Sequence, residues 1–170
     1  MLLKNIYSFE ELKNELDEKG KLLCVVNNEG IYKVYLPEKL KLQIREETDA
    51  INVLSKKNGK NTNLLYDVKM LEKKWNTIIS GEFSGERLLY IGMASNSKTG
   101  GLRRRITQFV RYGYKESNNH IGGRAIWQLE NSKKLLIEII TCNNAKEIEK
   151  EEIKKYKREH GEYPFANWRS

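Results

Sequence analysis

Two runs of three residues, Gly30-Ile31-Tyr32 and Tyr90-Ile91-Gly92, constrain this chain more than any other feature. Each lies in or beside a β-like stretch: Lys33-Val34-Tyr35-Leu36 follows the first, and Leu88-Leu89 precedes the second. Each therefore puts a tyrosine hydroxyl at a glycine-marked point of a strand. Before the first run, Asn27-Asn28-Glu29-Gly30 is turn chemistry. Leu22 to Val26 ahead of that turn also reads as a strand, so Leu22 to Val26 and Ile31 to Leu36 are expected to form a hairpin. Along its second strand Tyr32, Val34 and Leu36 share one face.

The rest of the chain follows from periodicity. Ser8-Phe9-Glu10-Glu11 has the pattern of a capping box, and Phe9, Leu12 and Leu16 repeat at helical spacing up to Gly20, so residues 1–21 are expected to carry an N-terminal helix. Residues 37–87 separate the two tripeptides. This stretch begins with Pro37, contains the polar run Ser55 to Asn61, and then holds an amphipathic helix with Val68, Leu71, Trp75 and Ile78 on one stripe. It reads as a surface embellishment, with a substrate-reading element as the alternative. Leu88 to Gly92 is the third strand, and Leu102 to Tyr112 a helix. Ile121 to Leu129 is expected to be another helix, Leu135 to Thr141 a strand, and Ala145 to Arg158 a long final helix. The order predicts an α+β fold: a small mixed or antiparallel sheet flanked by helices, in one domain over 22–170 with an insertion at 37–87.

Size and charge narrow the class. A chain of 170 residues suits one domain and buries roughly two thirds of its unfolded surface, so it needs no disulfide or metal staple. Cys24 and Cys142 sit in apolar runs and read as small core residues. Met1 to Ile6 lacks a long apolar stretch, and no run approaches the ~20 residues of a membrane span, so a cytoplasmic location is expected. The net charge of +8 is unevenly placed: Lys98, Arg103, Arg104, Arg105, Arg111, Lys115 and Arg124 fall in one stretch against the single acid Glu116. Tyr112, Tyr114 and His120 lie among them. A basic stripe interleaved with aromatics is the footprint of a polyanion binder.

Two helices carry the candidate chemistry. On the first, Leu102, Ile106, Phe109 and Val110 make the apolar face. At about 100° per residue Arg104 points to solvent, while Arg103 and Arg105 flank the face on opposite sides. A flanking arginine can reach along a sheet and clamp phosphate in bidentate fashion, which leaves Arg105 and Arg103 as candidates. On the last helix Ala145, Ile148, Ile153 and Tyr156 define the apolar face. Glu147 and Glu151 point away from it, but Glu149 and Glu152 fall on it. A carboxylate on a core-facing stripe is costly unless paired or coordinated, so one of these two is the functional acid.

Taken together, Gly30-Ile31-Tyr32, Tyr90-Ile91-Gly92, the basic helix Leu102-Arg103-Arg104-Arg105-Ile106, the acidic helix around Glu149 and the terminal Phe165-Ala166-Asn167 resemble the GIY-YIG nuclease family over about residues 22–170. The resemblance implies a divalent-metal-dependent endonuclease that hydrolyses phosphodiester bonds in DNA, most often double-stranded. The family's Leu-x-x-Arg pattern falls on Leu102 and Arg105, making Arg105 the catalytic arginine. Its apolar-Glu-x-x-apolar-Ile/Leu phrase falls on Ile148 to Ile153, except that Glu152 takes the second apolar place, making Glu149 the ligand of Mg²⁺ or Mn²⁺. It implies that Tyr32 and Tyr90 position and activate water, with Tyr32 as general base, and that Asn167 buttresses the metal and phosphate region. Lys98, Arg103, Arg104, Arg111, Lys115 and Arg124 are the expected nucleic-acid contacts.

The sequence departs from the family pattern in three places. The gap at 37–87 is about a dozen residues in compact members, Met93 stands where many relatives have Lys, and Phe109 stands where many have His or Tyr. Tyr112 or His120 is the candidate auxiliary group. A self-contained nuclease with an internal insertion fits a restriction or defence role. The alternative is a non-catalytic nucleic-acid-binding module that retains the fold.

Overall fold

The computed structural model describes residues 5–45, 54–57, 60–63, 66–80, 87–95, 98, 100–116 and 121–169. In chain order the elements are β1 (Ile6–Ser8), α1 (Phe9–Asn14), β2 (Gly30–Tyr35), β3 (Leu54–Lys57), β4 (Lys60–Asn63), α2 (Val68–Ile79), β5 (Leu88–Ala94), α3 (Gly101–Gly113), α4 (Arg124–Trp127), β6 (Leu136–Thr141) and α5 (Ala145–His160). Short 3-10 turns at Ile121–Gly123 and Ser132–Lys134 flank α4. The fold is α+β: a four-stranded sheet in the order β1-β6-β2-β5, every pairing antiparallel, flanked by helices. Among the described residues no helix is long and apolar enough to cross a membrane.

β2 is the centre of this architecture. It pairs with β5 on one side and β6 on the other, and its Tyr32 and Val34 are completely buried. Opposite residues in an antiparallel pair point to the same face. Tyr32 lies across from Gly92 and Ile139, and Val34 across from Tyr90 and Ile137. Strand alternation therefore puts Tyr32 and Tyr90 on one face, where Phe109 of α3 packs against both rings. The other face carries Lys33, whose ammonium pairs with Glu152 of α5 at 2.7 Å.

The glycines of the two tripeptides have steric reasons. A Cβ on Gly92 would lie 2.8 Å from Tyr32 Cε2 and closer still to its Cζ and hydroxyl oxygen. A Cβ on Gly30 would lie 2.7 Å from Leu102 Cδ1 and closer still to the Ile140 carbonyl oxygen. Gly92 thus lets the Tyr32 ring cross its neighbouring strand, and Gly30 lets β6 and α3 close on β2.

The N-terminal stretch differs from expectation. The capping box is present, with Glu11 N–H donating to Ser8 Oγ at 3.0 Å and Ser8 N–H donating to Glu11 Oε2 at 2.7 Å. The helix nevertheless ends at Asn14, because Leu16 forms a bridge to Leu22 across a turn in which Gly20 has φ +68°. Leu22 to Val26 is not a strand, and no hairpin forms with β2. Leu22 and Val25 are buried while Leu23 is 61% exposed, a period of three rather than two. This segment is fastened to α3 instead: Leu22 N–H donates to Thr107 Oγ1 at 3.3 Å, Arg103 N–H to the Val26 carbonyl at 3.2 Å, and Arg103 Nε to the Val25 carbonyl at 2.8 Å. Nor is the N-terminus an appendage. β1 is an edge strand of the sheet, and α1 buries Phe9 against Phe109 and Trp127 at ring separations of 5.0 and 4.7 Å.

The insertion is more than a surface embellishment. β3 and β4 form a separate two-stranded ribbon. α2, capped by Asp67 accepting from Met70 N–H at 2.9 Å, buries Leu71 and Ile78 in the main core. Burying two such side chains contributes about 1.5–3 kcal/mol each. The Gln128 side-chain amide holds Tyr66 at both its N–H and its carbonyl, and Arg87 donates to the carbonyls of Leu36, Pro37 and Leu40. The helix expected over Ile121 to Leu129 is instead a 3-10 turn followed by the four-residue α4.

Candidate active site

Tyr90, Arg105 and Glu149 line one cavity of about 460 Å³ between the end of β5, the first half of α3 and the start of α5. Both helices begin against the turn that precedes β2. Leu102 N–H donates to the Asn28 carbonyl at 2.8 Å, and Ala145 N–H donates to Glu29 Oε1 at 2.7 Å. Met93, Arg104 and Gln108 complete much of the wall. Gly122 closes over the tyrosine: a Cβ there would sit 3.3 Å from the Tyr90 hydroxyl and 3.9 Å from Arg105 Nη2.

Tyr32 stands behind this cavity rather than in it. It is completely buried, its ring centroid is 6.0 Å from that of Tyr90, and its hydroxyl accepts from Arg105 and donates to Tyr90. The order Arg105 to Tyr32 to Tyr90 makes the Tyr90 oxygen the end of a hydrogen-bond chain that favours negative charge there. Burial pushes the Tyr32 hydroxyl well above the usual phenol range, the neighbouring Tyr90 adds to this, and Arg105 opposes it. Burial also raises Tyr90, but there Arg105 and the hydrogen bond from Tyr32 both act to lower it. Both hydroxyls are held above the usual phenol range, and Tyr90 is the one that faces the cavity.

Arg105 and Glu149 complete the set. Burial acts against the Arg105 charge, but Tyr32, Tyr90 and Glu149 outweigh it and hold its pKa above the usual value. Burial raises the Glu149 carboxyl and Arg105 opposes the rise. Glu149 has no hydrogen bond or salt bridge to any described residue, whereas Glu152 is taken by Lys33. Of these two acids, Glu149 is the one that lines the cavity. Among the described residues no three His, Cys, Asp or Glu side chains cluster. A single carboxylate beside an open polar cavity fits a hard cation such as Mg²⁺, which takes one or two carboxylates and completes its shell with water and substrate phosphate.

Asn167 is placed elsewhere. Its side chain accepts from Ile91 N–H at 2.9 Å and donates to the Ile91 carbonyl at 2.8 Å, while Ala166 N–H donates to the Leu89 carbonyl at 2.8 Å. The C-terminal segment thereby covers the outer edge of β5. Asn167 braces the strand that carries Tyr90 and does not line the cavity. Its own carbonyl accepts from the buried Lys74 of α2. Burial lowers the Lys74 ammonium to about 8, with Glu162 opposing.

The other candidates divide. Tyr112 is buried away from the cavity, and burial pushes it up to about 12 despite Arg124 nearby. His120 lies outside the described residues. Phe109 packs beneath both tyrosines and keeps water from that side of their rings. Arg103, Arg104 and Arg111 gather on α3. Lys98 and Lys115 are exposed away from the cavity, and Arg124 stacks on the Tyr66 ring at 4.1 Å. Gln108 and Gly122 were not anticipated. Gln108 was legible as the residue one turn after Arg104, and the Gly122-Gly123 pair as a place where backbone passes close to something else. No protein-family model matches the chain, and no curated protein or solved structure is similar to it at a significant level.

Proposed function

We propose that this chain is a divalent-metal-dependent DNA endonuclease of the GIY-YIG kind, hydrolysing phosphodiester bonds in double-stranded DNA in a restriction or defence role in the cytoplasm. One observation carries the reading. Tyr90, Arg105 and Glu149, which the family resemblance singles out on three separate elements, line one cavity, with Tyr32 hydrogen-bonded behind them.

The burial of Tyr32 supports a division of roles different from the family expectation. Tyr90 takes the general-base role, because its hydroxyl is the one on the cavity and its phenolate is favoured by the Tyr32 O–H and the Arg105 charge. It accepts the proton of the attacking water. Tyr32 is a positioning residue that orients Tyr90 and passes the influence of Arg105 to it. Arg105 faces the charge that develops on the phosphoryl oxygens, where a cation preorganised by Tyr32 and Tyr90 stabilises it. Glu149 would hold Mg²⁺ or Mn²⁺, which supplies positive charge that neutralises phosphate oxygens and favours deprotonation nearby. Asn167 keeps β5, and therefore Tyr90, in register.

The test is incubation of supercoiled plasmid with the protein and Mg²⁺ or Mn²⁺, followed by mapping of the ends. Nicked or linear products that require the metal and are lost in Arg105→Ala support the reading. A protein that binds DNA but never cuts it, with either metal, is the non-catalytic module instead.

A further inference from the structure

α3 separates two depressions of nearly equal size. The first is the 460 Å³ cavity with Tyr90, Arg105 and Glu149; the second, about 450 Å³, lies on the helix's opposite flank. Arg104 and Gln108 line both. At about 100° per residue these two, four apart, form a ridge, while Arg103, Thr107 and Arg111 line up along the far side from Arg105. The opposite wall of the second groove comes from Lys19 and Lys21, in the turn after α1.

That wall is built rather than incidental. Asp17 Oδ1 accepts from Lys19 N–H at 2.9 Å and Lys21 N–H at 2.7 Å, and Gly20 N–H donates to the Asp17 carbonyl at 2.8 Å. Of the two carboxylates in this turn, Asp17 is thus bound to backbone, while Glu18 is exposed and does not line the groove. Both lysine side chains remain exposed. The turn is locked to α3 through Leu22 and Thr107, and the Arg111 guanidinium lies over Gly20, whose φ of +68° shapes the turn. Arg103 spends only Nε on the Val25 carbonyl. Glu116 faces Arg111 at 3.8 Å from outside the groove lining. Five cations, no lining acid and a rigid floor match a chain of phosphates.

We infer that this groove is a track for the DNA backbone flanking the scissile phosphate: the bound strand crosses the ridge at Arg104 and Gln108 and continues between Lys19, Lys21 and Arg111. This rests on the proposed nuclease reading and adds to it a contact surface that uses the N-terminal turn. The track accounts for a feature that the cavity alone leaves without a use, namely two turn lysines set against the far flank of α3.

The test measures binding of the full chain, in EDTA, to a fluorescein-labelled DNA duplex of about 30 base pairs by anisotropy across a range of salt concentrations. Lys19→Ala/Lys21→Ala is compared with Lys155→Ala/Arg158→Ala, an equal charge loss at exposed positions on the side of α5 turned from Glu149. The groove pair should weaken binding by about tenfold or more and make the slope of log K against log salt shallower by about one to two, while the α5 pair leaves both nearly unchanged. Equal behaviour of the two pairs overturns the track. If the wild-type chain binds no duplex, the track and the nuclease reading fall together. If the groove pair behaves as expected but the wild-type chain never cuts with Mg²⁺ or Mn²⁺, the track stands and the cutting reading alone falls.

Discussion

Replacing Gly92 with alanine tests how the two tripeptides depend on each other, independently of any activity. The added Cβ would lie 2.8 Å from Tyr32 Cε2 and closer to the ring's outer end, and Tyr32 has no exposed surface through which to retreat. Phe109 and Tyr90 hold the ring at centroid distances of 6.0 Å each. Over-packing in such a place costs about 1–3 kcal/mol. For a chain of 170 residues that lowers the melting temperature by about 2–12 °C. The cause is separable by a double-mutant cycle in urea with Tyr32→Leu, which removes the part of the ring that Cβ would strike. If the clash is the cause, Gly92→Ala should destabilise much less in the Tyr32→Leu background, a coupling on the order of 1 kcal/mol or more. Strict additivity, or a Gly92→Ala protein as stable as the parent, refutes the steric account of why this position is glycine.

Three further outcomes are expected. Tyr90→Phe should lower the single-turnover cleavage rate by about 10²-fold or more, the scale for losing a general base, and Tyr32→Phe by less, since Tyr32 acts through Tyr90; equal losses would return the base role to Tyr32. Because burial raises the Tyr90 hydroxyl above its ordinary value, the active phenolate becomes commoner as pH rises, so the single-turnover rate should increase with pH through the neutral and alkaline range, and Tyr90→Phe should flatten that rise. Lys74 titrates at about 8 when folded against 10.5 unfolded, so the unfolded chain holds more protons between these values. Stability should therefore rise with pH across that window, with the burden of the buried charge fully present below about pH 8 and gone above 10.5; urea midpoints should show the rise in the parent and its loss in Lys74→Met.

Periodicity within one element was the part of the molecule legible from sequence. Alternation along β2 put Tyr32, Val34 and Leu36 on one face, helical spacing narrowed the flanking arginines to Arg103 and Arg105, and the apolar stripe of α5 exposed Glu149 and Glu152 as misplaced charges. What local pattern did not carry was the partner of each element. Leu22 to Val26 is apolar like a strand, but its neighbour is α3, and only the burial of Leu22 and Val25 on a period of three reveals it. β1 has three residues, too few for alternation to register, and exists because β6 offers an edge. The resemblance gives the general-base role to Tyr32, and nothing in its own strand indicates that Phe109, Tyr90 and Arg105 pack around it, the observation on which the proposed shift of that role to Tyr90 rests. Arg124 looked like one more cation in a basic stretch; it stacks on Tyr66 because the insertion folds back onto the α4 region through Gln128. Asn167 was expected at the phosphate, yet its amide oxygen and nitrogen each bond the backbone of Ile91.

The central claim is that Glu149 serves the cutting of DNA and not its binding. It is tested by paired measurements on Glu149→Gln: anisotropy with labelled duplex, and single-turnover cleavage of the same duplex in Mg²⁺. The account predicts binding within about twofold of the parent and cleavage lower by about 10²-fold or more, the scale of one preorganised charge. Cleavage at the parental rate, or a loss of cleavage that merely follows a loss of binding, contradicts it.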